Sequence, residues 1–256
     1  MLLSDLILRQ GDAVARAQGQ DAGQWGPAGF PRPLTTVDVI IFTIRNEMLH
    51  VLVEWRQAGV AEVGSGLCGL PGGVVDTSRD CDLVSCALRT LREKTGVSNG
   101  YLEQLGSWGS ATRDPRGWSA THAYFALMSQ EAGAAPIAAN AQWVPIVAGR
   151  ITPRLVFDHD DILAAAIRRL RAKVEYSSLP AYLMPAEFTL PELQRVYEIV
   201  LDRPLEKSAF RTRILASELI VPIARMRRRA NRPAQLYRLR DRKDPVFFAR
   251  TFNRAE

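Results

Sequence analysis

The central part of the chain has the alternating pattern of half-buried strands. Apolar residues occupy every second position on both sides of the turn-like Asn46-Glu47, which predicts a β-hairpin. These positions are Val37, Val39, Ile41, Leu49, Val51, Val53 and Trp55. Further strands are predicted over 101–109 and 121–128, separated by the polar loop SATRDPRGWSA, and the segment QWVPI begins another.

Two segments of the same region have helical spacing. A helix is predicted over 82–95, where Leu83, Ala87, Leu88 and Leu91 share one side. Gly96 is placed to end this helix in the left-handed conformation. A second helix is predicted over 161–174, where acids precede the helix and basic residues lie toward its end, as the helix dipole favours.

A helix-turn-helix is predicted near the C-terminus. The helix over 189–201 begins with a capping box formed by Thr189 and Glu192, and a four-residue turn leads into a second helix over 206–219. Phe210 and Ile214 of the second helix are available for a core, whereas its polar residues lie where such helices contact DNA. The predicted DNA-binding residues of this helix are Lys207, Ser208, Arg211, Thr212 and Arg213.

The segment that follows predicts a wing, with the order strand, basic loop, strand. Its arginines are suited to phosphate contacts or to a narrow minor groove. They are Arg225, Arg227, Arg228, Arg229 and Arg232. A solvated basic loop is the alternative interpretation.

The distribution of charge supports this interpretation. The chain has 256 residues and a net charge of +6, but residues 205–256 hold 14 basic and 5 acidic residues, a net charge of +9. The rest of the chain is therefore slightly acidic. A small basic module on such a body indicates nucleic-acid binding at the C-terminus.

Composition excludes several classes of protein. No uncharged apolar run approaches the roughly 18 residues that a membrane span needs, and Asp5 interrupts the apolar start of the chain, so we expect a soluble, cytoplasmic protein. Three cysteines are too few for a disulfide framework, and the three histidines have no zinc-ligand spacing with them. We therefore expect neither a cofactor nor a metal site.

The pattern predicts an α+β fold, with a mixed sheet flanked by helices and followed by a winged helix-turn-helix. Residues 1–34 have no sustained periodicity and are interpreted as an N-terminal extension. The expected domains are an effector-sensing domain over 35–155, a linker helix over 156–180 and a DNA-binding domain over 181–256.

The run GLPGGVVDTSRDCDLVSCALRTLREKTGV resembles the Nudix box, the signature of hydrolases that cleave nucleoside diphosphates linked to another group. The matching elements are Leu70 to Gly73, Arg89, Leu91, Glu93, Gly96 and Val97. The loop before the helix is two residues longer than in the family pattern, which leaves Cys81 where an isolated glutamate would fall.

The helix of the box has lost most of its metal-binding character. Carboxylates at positions i, i+3 and i+4 share one helix face and can hold magnesium ions together, but these positions are Thr90, Glu93 and Lys94 here. We therefore predict no catalytic residues and no metal site. Two alternatives remain, namely an unrelated helix after a glycine-rich loop, or a hydrolase that uses displaced acids. The candidate displaced acids are Asp76, Asp80, Asp82 and Glu103.

The loop TRDPRGW at 112–118 resembles the R-D-P-R-G loop of the ADP-ribose pyrophosphatase branch of that family. Its arginines are suited to phosphate contacts, and an exposed Trp can stack on a base. An Asp-Pro turn with surface arginines is the alternative. The predicted effector-binding residues are Arg56, Gly72, Gly73, Arg89, Glu93, Arg113, Asp114, Arg116 and Trp118.

The order of these elements resembles the Nudix-related transcriptional regulators of NAD metabolism, the NrtR-like family. The segments LVFDHDDI and LMPAEFTLPELQRVYE and the wing carry the likeness, which covers about residues 35–240. The resemblance implies a homodimeric repressor that binds a double-stranded DNA operator and senses ADP-ribose or a related nucleotide. It also implies that Asp158 and His159 lie where a ligand-induced shift is passed to the DNA-binding domain. A Nudix hydrolase of ADP-ribose and a nucleotide-sensing scaffold for a protein partner are the competing hypotheses.

Overall fold

A mixed sheet organises the first part of the chain. The structure is a computed structural model that describes residues 32–56, 67–97, 100–133, 137–227, 233–240, 244–249 and 251–252. Within these residues the sheet contains β1 (Leu34–Arg45), β2 (Met48–Trp55), β3 (Cys68–Gly69), β4 (Gly72–Val74), β5 (Tyr101–Ser110), β6 (Ser119–Leu127) and β7 (Ala141–Pro145). The strand order is β3-β2-β1-β6-β5, and β4 and β7 pair with β1 and β2.

The predicted hairpin is confirmed by the antiparallel pairing of β1 and β2. Arg45 pairs with Met48, which leaves Asn46 and Glu47 as a two-residue loop. Both loop residues have positive φ, at 48° and 58°. Such a loop matches the right-handed twist of the strands that it joins.

β1 and β6 run parallel. Thr36 Oγ1 donates a hydrogen bond to the Ala120 carbonyl, and Thr43 Oγ1 donates to the Met128 carbonyl, so contacts advance in the same direction along both strands. The other pairs described in the sheet are antiparallel. The predicted mixed sheet is therefore confirmed.

Helices cover both faces of this sheet. The helix α1 (Leu83–Thr95) packs against the face that includes Val39 and Ile41, and the helix α3 (His159–Val174) packs against the face that includes Ile40 and Phe42. β1 is thus buried on both faces. The one-sided alternation predicted for this strand missed its second apolar face, which is typical of a strand between two helical layers.

Local signals set the ends of α1 as predicted. Asp82 is the N-cap, accepts a hydrogen bond from the Ser85 N–H, and forms a capping box with that residue. Gly96 ends the helix with φ of 69°, a left-handed conformation that glycine adopts without strain.

The C-terminal region is a helix-turn-helix followed by a two-stranded wing. The remaining elements are α2 (Gln130–Gly133), a 3-10 helix (Leu179–Leu183), α4 (Leu190–Leu201), α5 (Lys207–Ala216), β8 (Ile220–Arg227) and β9 (Ala234–Leu239). The predicted capping box at the start of α4 is confirmed, since Thr189 accepts from the Glu192 N–H and Glu192 accepts from the Thr189 N–H.

One apolar core joins these parts. It runs from Phe42 in the sheet through Ile162 and Leu170 of α3 to Tyr197 of α4 and Phe210 of α5. Residues 35–256 accordingly form one compact unit, in which side chains of α3 belong to the same core as those of the sheet and of the C-terminal helices. No helix within the described residues has the length and apolar character needed to cross a membrane.

Candidate effector site and nucleic-acid interface

The helix face that holds metal ions in Nudix hydrolases is occupied by ion pairs in this chain. Thr90 is buried, and Lys94 Nζ lies 2.8 Å from Glu54 Oε1 of β2. Glu93 contacts two guanidinium groups, at 3.1 Å from Arg79 and 3.4 Å from Arg89. The one carboxylate retained on this face therefore already has two cationic partners.

Arg89 is held by the lengthened loop that precedes α1. Its Nε and Nη2 donate hydrogen bonds of 2.7 Å to the two carboxylate oxygens of Asp80, whose side chain is 1% exposed. These hydrogen bonds hold the pKa of the Asp80 carboxyl well below its usual range. Both Arg89 and Glu93, predicted as effector residues, are thus part of one ion-pair cluster, in which Asp80 is buried and Glu93 is exposed.

The other acids considered as displaced metal ligands also have structural partners. Asp82 caps α1, and Asp76 accepts hydrogen bonds from the Ser78 N–H and hydroxyl group, which lower the pKa of Asp76. Glu103 accepts from Lys173 Nζ at 2.5 Å. Among the described residues, no group of three or more His, Cys, Asp and Glu side chains is arranged to hold a metal ion.

A second cluster, which we call the α3 latch, consists of Asp38, Arg113, Asp158 and His159. Arg113 donates from Nε to Asp158 Oδ2 at 2.9 Å and from Nη2 to Asp158 Oδ1 at 2.8 Å, and the same Nη2 lies 3.8 Å from Asp38 Oδ2. Its side chain is only 6% exposed. The latch joins β1, the R-D-P-R-G loop and the start of α3.

His159 is the neutral member of the latch. Burial lowers the pKa of His159, so its imidazole is uncharged near pH 7. Nδ1 accepts a hydrogen bond of 2.9 Å from the Leu70 N–H, which places the ring proton on Nε2, at 3.6 Å from Asp38 Oδ2. The Arg56 guanidinium lies near this ring, over Phe157 at 5.5 Å. Arg56 and Arg113 together balance the two aspartates of the latch.

The predicted glycines lie beside the latch. A Cβ atom at Gly72 would lie 2.1 Å from Asp38 Oδ1 and 2.8 Å from the Val37 carbonyl oxygen, so the close approach of β4 to β1 requires glycine. Around Gly73, no described heavy atom lies within 4 Å of an added Cβ. This position therefore faces open space.

The R-D-P-R-G loop divides its charged residues between the interior and the surface. Arg113 turns inward, whereas Asp114 is buried and accepts from the backbone N–H and the guanidinium of Arg116, at 2.9 and 2.7 Å. These hydrogen bonds lower the pKa of Asp114. Asp114 thus shapes the loop, and Arg116 remains at the surface. Trp118 is 52% exposed, with its ring over Gly109 of β5.

The predicted effector residues thus fall into three groups. Gly72 and Arg113 lie against Asp38, Gly73 pairs with the neighbouring Val37, and Arg56 lies over Phe157. Arg89 pairs with both Asp80 and Glu93. The exposed Arg116 and Trp118 form the third group, with Asp114 beneath them.

The second helix of the helix-turn-helix, α5, has an exposed polar arc. Lys207, Ser208, Arg211 and Thr212 are all exposed, whereas Phe210 and Ile214 are buried, as predicted. The Glu206 side chain accepts from the Ser208 and Ala209 N–H groups and caps the helix. The N-terminal end of α5 is therefore fixed by this cap.

Arg213 does not lie on this arc. Its guanidinium lies 4.2 Å from the centre of the Phe252 ring, and Nη2 donates a hydrogen bond of 2.9 Å to the Thr251 carbonyl. The Arg213 side chain therefore contacts the C-terminal segment, and its predicted DNA contact stays a prediction.

Only two of the five predicted wing arginines, Arg225 and Arg227, lie within the described residues. Arg225 and Arg227 belong to β8 rather than to the loop, where Arg225 pairs with Glu187 and Arg227 Nη1 lies 2.5 Å from Glu192 Oε1. A phosphate contact by Arg227 therefore competes with an internal ion pair. Arg228, Arg229 and Arg232 lie outside the described residues.

Sequence reasoning missed the C-terminal segment. Phe252 is buried against Tyr197 and Phe210, and its N–H donates to the Glu175 carbonyl at 3.0 Å. The Phe248 N–H donates to the Tyr176 carbonyl at 2.7 Å. Three phenylalanines within a basic tail were the available signal, but they have neither helical nor strand periodicity.

Two family models match the chain, a NUDIX domain over residues 34–146 and an NrtR DNA-binding winged helix domain over residues 180–239. A relative from Acinetobacter baylyi, named ADPR responsive transcriptional repressor NtrR, is 42% identical over 217 residues, which are 84% of this chain and 85% of the relative. The chain belongs to the NrtR family.

Solved structures of NrtR have the same architecture. Shewanella oneidensis NrtR complexed with a 27mer DNA is 36% identical, with a TM-score of 0.76, and the match covers 86% of this chain and 99% of that chain. A second crystal structure of S. oneidensis NrtR is 37% identical, also with a TM-score of 0.76, and the match covers 85% of this chain and 99% of that chain. The NrtR fold therefore extends over the sheet, α3 and the winged helix.

Proposed function

We propose that this NrtR family member is a DNA-binding transcriptional repressor whose Nudix-like domain senses ADP-ribose or a related nucleotide. The observation that carries the proposal is the exposed polar arc of α5, held by capped helices in a segment of net charge +9. The description of the A. baylyi relative and the DNA complex of S. oneidensis NrtR support it.

The proposal includes a Nudix-like domain without catalytic activity and without a metal or other cofactor. The pairing of Lys94 with Glu54 and of Arg89 with Asp80 supports this. In each pair a basic side chain neutralises a carboxylate, in the region where a hydrolase gathers carboxylates around magnesium. We assign Arg56, Arg113 and the space beside Gly73 to the effector, with Arg116 and Trp118 at the rim.

We also propose a homodimer acting in the cytoplasm. Two α5 helices would meet successive major grooves of a near-palindromic operator, about 10 base pairs or a multiple apart. The proposed division places the effector-sensing domain at 35–155, the linker helix at 156–180 and the DNA-binding domain at 181–256.

The test is a mobility-shift titration of the purified full chain on DNA upstream of its own gene and of neighbouring genes. ADP-ribose, NAD and AMP are added in parallel, and a shuffled duplex is the control. We expect a salt-sensitive complex with the upstream DNA that ADP-ribose dissociates. Equal affinity for the upstream and the shuffled duplex would refute the proposal that the chain is a specific repressor.

Two further measurements address the remaining parts of the proposal. Sedimentation of the free chain and of its complex measures whether two chains bind one operator. Incubation with ADP-ribose and excess magnesium measures hydrolysis, and turnover at an ordinary enzyme rate, above about 1 per second, would favour the Nudix hydrolase instead.

A further inference from the structure

Asp158 is the N-cap residue of α3, but its carboxylate does not cap the helix. Aspartate is among the most favoured N-cap residues, because its side chain accepts hydrogen bonds from the second and third N–H groups of a helix. Here the Asp158 side chain makes no such hydrogen bond, and both of its oxygens accept from Arg113. The ion pair thus takes the place of the helix cap.

The residue before Asp158 has a strained backbone. Phe157 has φ of 55°, a left-handed conformation that bulky residues rarely adopt. The turn is closed by a hydrogen bond of 3.2 Å from the His159 N–H to the Val156 carbonyl, and the Phe157 ring packs against His159 and Arg56. Strain of this kind persists only where surrounding contacts impose it, and it is often found in segments that switch.

Two carboxylates face the single positive charge of Arg113. Asp158 and Asp38 both face this one buried guanidinium, at 2.8 and 3.8 Å. A diphosphate that binds Arg113 would therefore compete directly with Asp158 for the same N–H groups, since guanidinium groups bind carboxylate and phosphate with the same forked geometry.

Building on the proposed function, we propose that Asp158 is a positioning residue that exchanges partners when the effector binds. The effector phosphate takes Arg113, and the Asp158 carboxylate turns to accept from the Asp160 or Asp161 N–H in the first turn of α3. The helix N-terminus stabilises the released Asp158 carboxylate, and the buried Asp38 keeps the Nε2–H of His159, 3.6 Å away, as its neighbour. The form with Arg113 bound to Asp158 is the form that binds DNA.

This exchange makes a prediction that distinguishes it from a purely structural role. Asp158→Asn retains an N-cap side chain but lacks the charge that competes for Arg113. Because ADP-ribose no longer has to displace Asp158, the variant should bind ADP-ribose more tightly, by about fivefold or more, and should bind operator DNA more weakly by a comparable factor. Asp161→Asn is the matched control, since it removes an exposed charge from the same helix turn, and both affinities should stay within about twofold of those of the unmodified chain.

Calorimetric titration with ADP-ribose and anisotropy titration with operator DNA measure the two affinities on the full chain. If D158N does not fold, Asp158→Ser, which also retains an N-cap residue, replaces it with the same expectations. ADP-ribose affinity that is unchanged or weaker in the variant would overturn the exchange. If the unmodified chain binds ADP-ribose and releases DNA while D158N behaves as D161N does, only this inference fails. If the unmodified chain binds neither ligand, the proposed function fails with it.

Discussion

Replacing Phe252 by Ala tests whether the C-terminal segment is an integral part of the DNA-binding region. Phe252 is 6% exposed, its ring stacks on Phe210 at 5.9 Å and meets Tyr197 edge-on at 5.4 Å, and the Arg213 guanidinium covers it at 4.2 Å. The substitution removes all of these contacts at once. Phe247→Ala is the matched control, because Phe247 belongs to the same segment but is 57% exposed.

The size of the effect follows from burial. Replacing a buried Phe by Ala costs about 3–5 kcal/mol of unfolding free energy. Residues 244–249 and 251–252 belong to no helix or strand, so this segment can relax around the substitution, and the cost falls toward the lower end of the range. We therefore expect about 3 kcal/mol for F252A, at the lower end of the range, and about 0.5 kcal/mol for F247A, as is usual for exposed positions.

Urea unfolding followed by circular dichroism measures both values. Hydrogen exchange provides an independent measurement, because the Phe248 and Phe252 N–H groups bond to the Tyr176 and Glu175 carbonyls and should lose protection in F252A. An F252A midpoint equal to that of F247A, with protection retained at both amides, would refute the reasoning.

Two other variants, one double and one single, test charged groups. In a plot of log affinity for operator DNA against log salt concentration, the double variant Lys207→Ala and Arg211→Ala should have a slope smaller by about 2 if both residues contact phosphate. Arg154→Ala, at an exposed arginine outside the winged helix, is the control and should leave the slope unchanged. Equal slopes in the unmodified chain and both variants would exclude α5 from the interface. Asp80→Asn removes the partner of Arg89. Because the pKa of Asp80 lies well below its usual range in the folded protein, its contribution to stability is complete above about pH 5 and falls progressively as the pH drops below about 4 toward the lowered pKa. Unfolding free energies measured between about pH 5 and pH 3 should therefore fall less steeply in D80N than in the unmodified chain, and parallel slopes would contradict this.

Local features of the fold were predictable because their signals lie close together in the sequence. The capping box of α4 needs only Thr189 and Glu192, and the end of α1 needs only Gly96. The two-residue loop between β1 and β2 is similarly encoded by the residues that form it. For such elements, hydrogen bonds within a few residues of the chain fix the geometry.

The partners of the charged residues were not predictable in the same way. Arg113 and Arg116 stand three positions apart in one loop, yet Arg113 meets Asp158, 45 residues along the chain, while Arg116 meets the neighbouring Asp114. The choice depends on where α3 begins relative to β1, which sequence spacing does not encode. The sequence places Lys94 at a former metal-binding position, but its pairing with Glu54 of β2 depends on the packing of α1 against the sheet.

The position of α3 explains how an event at the effector site can reach the DNA-binding helix. Its first residues carry the bond from Asp158 to Arg113, and the Glu175 that follows its last turn pairs with Arg203 at 2.8 Å and accepts the Phe252 N–H through its carbonyl. Phe252 in turn holds α5 through Phe210 and Arg213. Between these ends α3 is a continuous helix of 16 residues packed into the shared core. A shift that moves α3 as a rigid body therefore also moves Glu175 and the Phe252 ring that packs on α5. Packed elements of this kind tend to have discrete arrangements rather than to bend continuously, so under the proposed function a small displacement near Asp158 can change the position of α5.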